Sequence, residues 1–241
     1  MRAINNYHIR NRNQIKSFKL IIQSSLIRYC ILLSIVLSAP YLVFAHTVNL
    51  ALEKAPTHDV VLFYLKLGIA HIVPMGIDHI LFVIALCLLN NKLKTILWQA
   101  TAFTVAHSIT LALSMKSIVT LPSDIVEPLI ALSIVFVAVE NILISELKVW
   151  RILIVFLFGL IHGLGFAAAL NEIGLPRNKF FTSIISFNAG VEIGQILVIL
   201  FVYLLIIFPL CNKIWYKKGV VYPISMLIAF IGVYWTFLRL M

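Results

Sequence analysis

The sequence predicts an all-α, polytopic membrane bundle of about six transmembrane helices behind an N-terminal leader. Three observations carry that expectation. Of the 241 residues, 62% are hydrophobic and only 12% charged, about half the charged fraction of a soluble domain. Apolar stretches of the roughly 20 residues needed to cross a bilayer recur along the chain with short loops between them. The basic residues fall mainly in alternate loops, as they do in multi-pass proteins.

Taken in order, residues 1–28 hold six of the nineteen Lys/Arg (Arg2, Arg10, Arg12, Lys16, Lys19, Arg28) and no acid, and residues 29–45 are apolar. Val43-Phe44-Ala45 puts small residues at the −3 and −1 positions of a cleavage site. Residues 1–45 therefore read as a secretory signal peptide, with an uncleaved anchor helix as the alternative (seven spans in all), and residues 46–241 as one transmembrane domain. Cleavage after Ala45 would leave His46 at the new terminus, where an α-amine beside an imidazole is a modest metal chelator. The apolar stretch 59–90 is longer than one span needs, and Pro74 and Gly76 interrupt it. It is expected to break into a leading piece near 60–73 and a second near 76–90, a device tolerated at membrane depth where freed backbone groups line a cavity. Further spans are expected at about 95–115, 124–145, 150–170, 181–209 and 220–239.

Lys92, Lys94, Lys148, Arg151, Lys213, Lys217 and Lys218 then gather on one side, whereas Glu53, Asp59, Lys116, Asp124, Glu172, Arg177 and Lys179 nearly cancel on the other. The positive-inside rule places the mature N-terminus and the C-terminus outside. The formal net charge of +10 reflects the leader and these loops, so no nucleic-acid partner is implied; the partner read from composition is the lipid bilayer. Cys30, Cys87 and Cys211 lie in apolar runs, which suits small core residues better than a disulfide framework or a thiolate metal site.

Against this apolar background a set of ionisable groups stands out, because a charge at the centre of a membrane helix costs about 2.5–3.5 kcal/mol on insertion scales. His71, Asp78 and His79 flank the Pro74 break. Thr101, Thr104, His107 and Ser108 lie in the second span, Glu140-Asn141 ends the third, His162 sits in the fourth, and Asn188, Glu192 and Gln195 share one face of the fifth. Gly159/Gly163 and Gly190/Gly194 frame His162 and Glu192 in Gly-x-x-x-Gly patterns that allow close helix approach. Phe103-Thr-Val-Ala-His107 and Phe158-Gly-Leu-Ile-His162 form a faint internal repeat. Together His71, Asp78, His79, His107, Glu140, His162, Asn188 and Glu192 supply nitrogen and oxygen ligands without thiolate, a set suited to Ni²⁺, Co²⁺ or Zn²⁺. Asp78 and His79 form the core of the expected metal site. His71 lies on the far side of the Pro74 break, which leaves open whether it shares their ion.

The motifs that carry a family resemblance are Gly68-Ile-Ala-His71-Ile, Gly76-Ile-Asp78-His79-Ile-Leu-Phe82, Thr101-Ala-Phe-Thr-Val-Ala-His107-Ser-Ile-Thr-Leu111, Glu140-Asn141, Phe158-Gly-Leu-Ile-His162-Gly-Leu-Gly-Phe166 and Phe187-Asn188-Ala-Gly-Val-Glu192-Ile-Gly-Gln195. Over about residues 60–210 the chain resembles the HupE/UreJ family, the hydrogenase- and urease-linked membrane proteins regarded as nickel or cobalt permeases. The resemblance implies a protein of the bacterial cytoplasmic (inner) membrane with a cleaved signal, binding metal through the His/Asp region of its first span. In the better-known members His-Pro shortly precedes Gly-x-Asp-His, and the mature chain begins His-Pro-Gly. Here Ile follows His71 and His46 is followed by Thr, so the chain resembles a second, less characterised branch.

The expected function is a permease for a divalent transition-metal ion, nickel or cobalt first, rather than an enzyme. Asp78, His79 and His71 would capture the ion, His107, His162 and Glu192 pass it on, and Glu140 receive it near the cytoplasm. No P-loop is present, so no nucleotide cofactor is expected. Two alternatives are carried forward. One is an intramembrane metal-dependent hydrolase using Ser108 or Glu192, although His-Glu-x-x-His and Gly-x-Ser-x-Gly are absent. The other is a non-transporting accessory protein for metalloenzyme maturation. Homo-oligomerisation and contact with a metallochaperone are left open.

Overall fold

The structure, a computed structural model, describes residues 51–144 and 150–241. The leader expected over residues 1–45 lies outside them. Helix α1 (Thr57–Ile72) and helix α2 (Ile77–Leu88) meet at the Pro74/Gly76 break with a bend of 68°. Then follow α3 (Leu93–Met115), α4 (Ser123–Leu143), α5 (Arg151–Ile173), α6 (Phe180–Val202) and α7 (Tyr222–Leu240). A π-helical turn at Tyr203–Ile207 extends the α6 span to Leu210, and another at Lys217–Val221 leads into α7. No strand occurs among the described residues. Five helices are long and apolar enough to cross a membrane, six if the bent α1–α2 pair counts as one broken span. At 23 residues α3 measures about 34 Å, enough for a hydrocarbon core of about 30 Å. Large side chains such as Leu132, Phe136, Phe201, Phe230 and Phe237 are turned outward, which lipid tolerates and water would not. The protein is an all-helical membrane protein.

Three helix pairs pack most intimately: α3 on α5, α1 on α6, and α4 on α7. Glycine decides the first two. A Cβ at Gly159 or Gly163 would overlap the carbonyl oxygens of Phe103 and His107, and one at Gly68 or Gly190 would overlap those of Phe187 and Leu65. Because lipid tails are as apolar as leucine, such close backbone contact supplies the packing that the hydrophobic effect cannot supply between membrane helices. The short α2 sits against α4 and α6, and Phe82, Leu86, Phe103, Ile134, Val155 and Ile228 form the apolar centre. His162 and Asn188 are thereby carried inward on helices whose glycine faces fix their depth.

One loop charge used for topology lies elsewhere. Arg151, counted above with the basic loops, is fully buried at the first position of α5. Its Nε donates to Gln99 Oε1 at 3.0 Å, and its Nη1 and Nη2 lie 3.4 and 3.3 Å from Asn141 Oδ1. Its Nη1 also pairs with Glu140 Oε2 at 3.0 Å. Asn141 Nδ2 in turn donates to Ala85 O at 2.8 Å and reaches Ser225 Oγ at 3.4 Å, so this one cluster ties α2, α3, α4, α5 and α7 together. Sequence spacing cannot tell a snorkelling arginine from one folded back under its own helix end.

Candidate metal centre

The last turn of α1 presents His71, and the first turn of α2 presents Asp78 and His79. Between them Gly76 lies so close to the His71 carbonyl oxygen that a Cβ there would overlap it. The chain therefore folds back on itself at the break, and the His71 and His79 rings stand 4.6 Å apart between centroids. The Pro74 break therefore does not keep His71 from His79. The interruption juxtaposes the two imidazoles because glycine lets the second helix start against the end of the first.

His107 comes from the middle of α3, and one ring nitrogen from each of His71, His79 and His107 lies within 4.8 Å of the other two. His162, from α5, adds a fourth imidazole, with its Nδ1 3.4 Å from His79 Nε2. His79, His107 and His162 are buried and His71 is half-buried.

The proton positions follow from the partners. Asp78 Oδ1 lies 3.0 Å from His79 Nδ1; the carboxylate can only accept, so Nδ1 carries a proton and Nε2 is the nitrogen turned toward the other rings. Asn188 Nδ2 donates to Ile184 O at 2.8 Å, which orients the amide and turns Oδ1 toward His107 Nδ1 at 3.1 Å. His107 Nδ1 is thus the donor, and His107 Nε2 is buried without a partner. Ser133 Oγ donates to Ile130 O at 2.7 Å and so accepts from His162 Nε2 at 3.0 Å, which leaves the lone pair on His162 Nδ1. His71 Nε2 is also buried without a partner.

Three imidazoles from three spans thus have one nitrogen held by a carboxylate, an amide or a hydroxyl, the arrangement that orients metal-ligating histidines. Their other nitrogens converge. Two of these nitrogens, His79 Nε2 and His162 Nδ1, face each other at 3.4 Å, a contact that requires a shared proton or a cation between or beside them. Two nitrogens on one tetrahedral ion, at metal–nitrogen distances of about 2.0–2.1 Å, would be about 3.3 Å apart. A cluster of imidazoles with no thiolate suits borderline divalent ions of the late first row better than Ca²⁺ or Mg²⁺, which prefer all-oxygen ligand sets.

Aromatic rings wall the cluster. Phe166 packs 4.0 Å from the His71 ring, Phe187 stacks on Phe166 at 4.8 Å, and Phe103 lies 4.9 Å from His162. One cavity of about 300 Å³ reaches the histidines, lined also by Asp78, Glu127, Phe166 and Arg239. Larger cavities beside the α2–α3 turn and between α4 and α5 do not contain them.

The remaining candidates separate. Asn188 contacts His107, as above. Glu192 lies one turn further along α6, where Thr101 donates to its Oε1 at 2.6 Å and its Oε2 is buried without a partner. Thr104, between Thr101 and His107 on α3, meets Gln195 Oε1 at 3.1 Å. These three contacts make a polar ladder between α3 and α6. Glu140 meets Arg151, not a histidine. Among the residues that sequence reasoning passed over, Ser133 is the most consequential. It precedes Glu140 by seven residues and shares its helix face, the one signal that marks it. Arg151, Glu127 and Arg239 looked like ordinary terminal charges.

A family model described as HupE / UreJ protein matches residues 46–239. The chain belongs to the HupE/UreJ family. HupE/UreJ proteins are nickel/cobalt transport or metalloenzyme-accessory membrane proteins rather than a known enzyme family, and the histidine cluster lies wholly within the matched region. No curated protein and no solved structure matches this HupE/UreJ chain.

Proposed function

We propose that this HupE/UreJ protein is a cytoplasmic-membrane permease for a divalent transition-metal ion, with nickel or cobalt as its substrate. The observation that carries the reading is the convergence of His79 Nε2 and His162 Nδ1 at 3.4 Å, each ring fixed by a hydrogen bond on its far nitrogen, beside the buried and unpartnered His71 Nε2 and His107 Nε2. A buried polar atom left unpaired costs about 1–3 kcal/mol. A site with several such atoms is one that a ligand completes. His71, Asp78 and His79 line the cavity by which the ion arrives, His107 and His162 complete its coordination, and the ladder of Asn188, Gln195 and Glu192 leads it onward. With both termini outside, the ladder descends toward the cytoplasm, and a negative interior of 100 mV would favour entry of a doubly charged ion by about 4.6 kcal/mol. Glu140 is committed to Arg151, and we leave it out of the path.

The hydrolase reading is less well supported. The Ser108 hydroxyl donates to the Thr104 carbonyl at 2.6 Å, so it lacks the adjacent base that would activate a nucleophile. The accessory reading predicts binding without flux. The deciding experiment loads the purified protein into liposomes and follows Ni²⁺ and Co²⁺ entry under an imposed potential. The permease reading expects flux in the wild type, and its loss in Asp78→Ala and His79→Ala with insertion unchanged. Flux unaffected by His79→Ala would sink it.

A further inference from the structure

The cavity that reaches the histidines has two charged side chains that the metal centre does not use: Glu127, in the second turn of α4, and Arg239, in the last turn of α7. The Glu127 side chain is 53% exposed and that of Arg239 25%, against 23% for Asp78 and 5% for His79. The pair therefore marks the opening and the imidazoles the floor. Arg239 is anchored chiefly by groups other than the carboxylate. Its Nη1 donates to the main-chain oxygen of Glu127 at 3.0 Å, and its guanidinium lies over the Trp235 ring at 5.6 Å. Its Nε stands 3.9 Å from Glu127 Oε2, beyond hydrogen-bonding distance. The carboxylate thus keeps acceptor capacity free, although a positive charge is tethered beside it.

We propose that Glu127 is the capture carboxylate of this cavity, an outer subsite for hydrated divalent cations, and that Arg239 is the tethered counter-charge such a cation outcompetes. The inference rests on the permease reading and adds a selection step before the histidines. A divalent ion interacts with the carboxylate twice as strongly as a monovalent ion or the guanidinium at the same distance, so it can hold Glu127 against Arg239 where Na⁺ or K⁺ cannot. Charge is selected at the mouth and ligand softness at the floor. Because main chain and indole hold Arg239, its displacement from the carboxylate is a small side-chain shift that leaves α7 in place. A cleft carboxylate of this kind raises the local cation concentration and acts on the entry rate, in a manner that salt weakens.

The test measures initial Co²⁺ flux into proteoliposomes against Co²⁺ concentration, at low and high ionic strength, together with the visible absorption spectrum of Co²⁺ bound to the purified protein. Glu127→Gln is expected to raise the apparent KM about tenfold, to flatten the salt dependence, and to leave the maximal rate and the Co²⁺ spectrum as in the wild type. Glu127→Asp should recover part of the KM, and Arg239→Gln should lower it severalfold. A KM and salt dependence unchanged in Glu127→Gln, with wild-type flux intact, would overturn the capture role alone. A changed spectrum would overturn it too, since Glu127 would then belong to the inner coordination. If the wild type bound no Co²⁺, the permease reading would fall first and this inference with it.

Discussion

Around Arg151 the guanidinium is taken up by Gln99, Asn141 and Glu140, and Asn141 spends its own amide on Ala85 and Ser225; the Glu140 carboxylate answers with an ion pair, its Oε1 otherwise unpartnered. Around His79 the outer nitrogens are fixed and the inner ones are left over, with His71 Nε2 and His107 Nε2 unpartnered and His79 Nε2 meeting only His162 Nδ1. Both clusters are buried, both join several helices, and both contain residues that a sequence survey marks as costly in a membrane. The difference lies in what remains after internal pairing. A polar cluster that closes on itself locks helices together, whereas one that closes on one side only presents a site to something else.

The largest way to break this contrast is at Arg151. Arg151→Ala leaves Glu140 as an uncompensated buried charge, and removal of one partner of such a pair typically costs about 3–5 kcal/mol. The expected outcome is a protein that inserts poorly or unfolds early in a thermal melt. Replacing both partners, Glu140→Gln with Arg151→Met, should restore most of that stability, because a buried pair exchanged for well-packed neutral groups is often close to neutral. If the double variant transported metal at the wild-type rate, the lock would be structural only; if it were stable yet inactive, Glu140 would belong to the path after all.

At the histidines the order of effects reverses. His107→Ala removes a ligand whose side chain makes a single interhelical hydrogen bond, to Asn188, while the α3–α5 contact rests on Gly159 and Gly163. The fold should survive, and Co²⁺ affinity should drop by more than the 10–100-fold typical of losing an outer-shell partner. A melt that shifted by several kcal/mol with affinity retained would place His107 with the Arg151 type of cluster.

How much of this was legible in the sequence follows from the same contrast. Hydropathy and loop length gave the six spans, including the break at Pro74/Gly76, because bilayer thickness constrains every span independently. Asp78, His79, His107 and His162 stood out because an ionisable group in an apolar run is conspicuous by itself. Pairing is not conspicuous. Whether Glu140 faces the ion or Arg151 depends on which side of α4 meets α5, and a charge at a helix start reads the same whether it lies in water or beneath its own helix. The distance of His71 from Asp78 and His79 stayed open for a related reason: a helix breaker announces a change of direction without its sign, and only the close approach of Gly76 to His71 sets the return. Ser133, an ordinary serine in an apolar helix, acquires its role only from His162 three helical turns into the next element.

The smallest effects sharpen the comparison most, because they remove one hydroxyl in each kind of setting. Ser133→Ala deletes the acceptor that keeps the proton on His162 Nε2, so the imidazole loses its fixed tautomer and orientation. Metal affinity should fall about 10–100-fold with little change in the melt. Thr104→Val deletes the hydroxyl that meets Gln195 at 3.1 Å, in the α3–α6 ladder one turn from His107. Interhelical hydrogen bonds in membranes average about 0.6 kcal/mol, so stability should drop by that order, and Co²⁺ affinity, set by nitrogens that Thr104 does not touch, should not move. Isothermal titration with Co²⁺ on both variants separates the cases. Equal losses of affinity would mean that the ladder positions the ligands as the outer shell does; a loss in Ser133→Ala alone means that orientation of the metal-binding nitrogens comes from their own hydrogen-bond partners, and that the ladder beyond them acts on passage, not on binding.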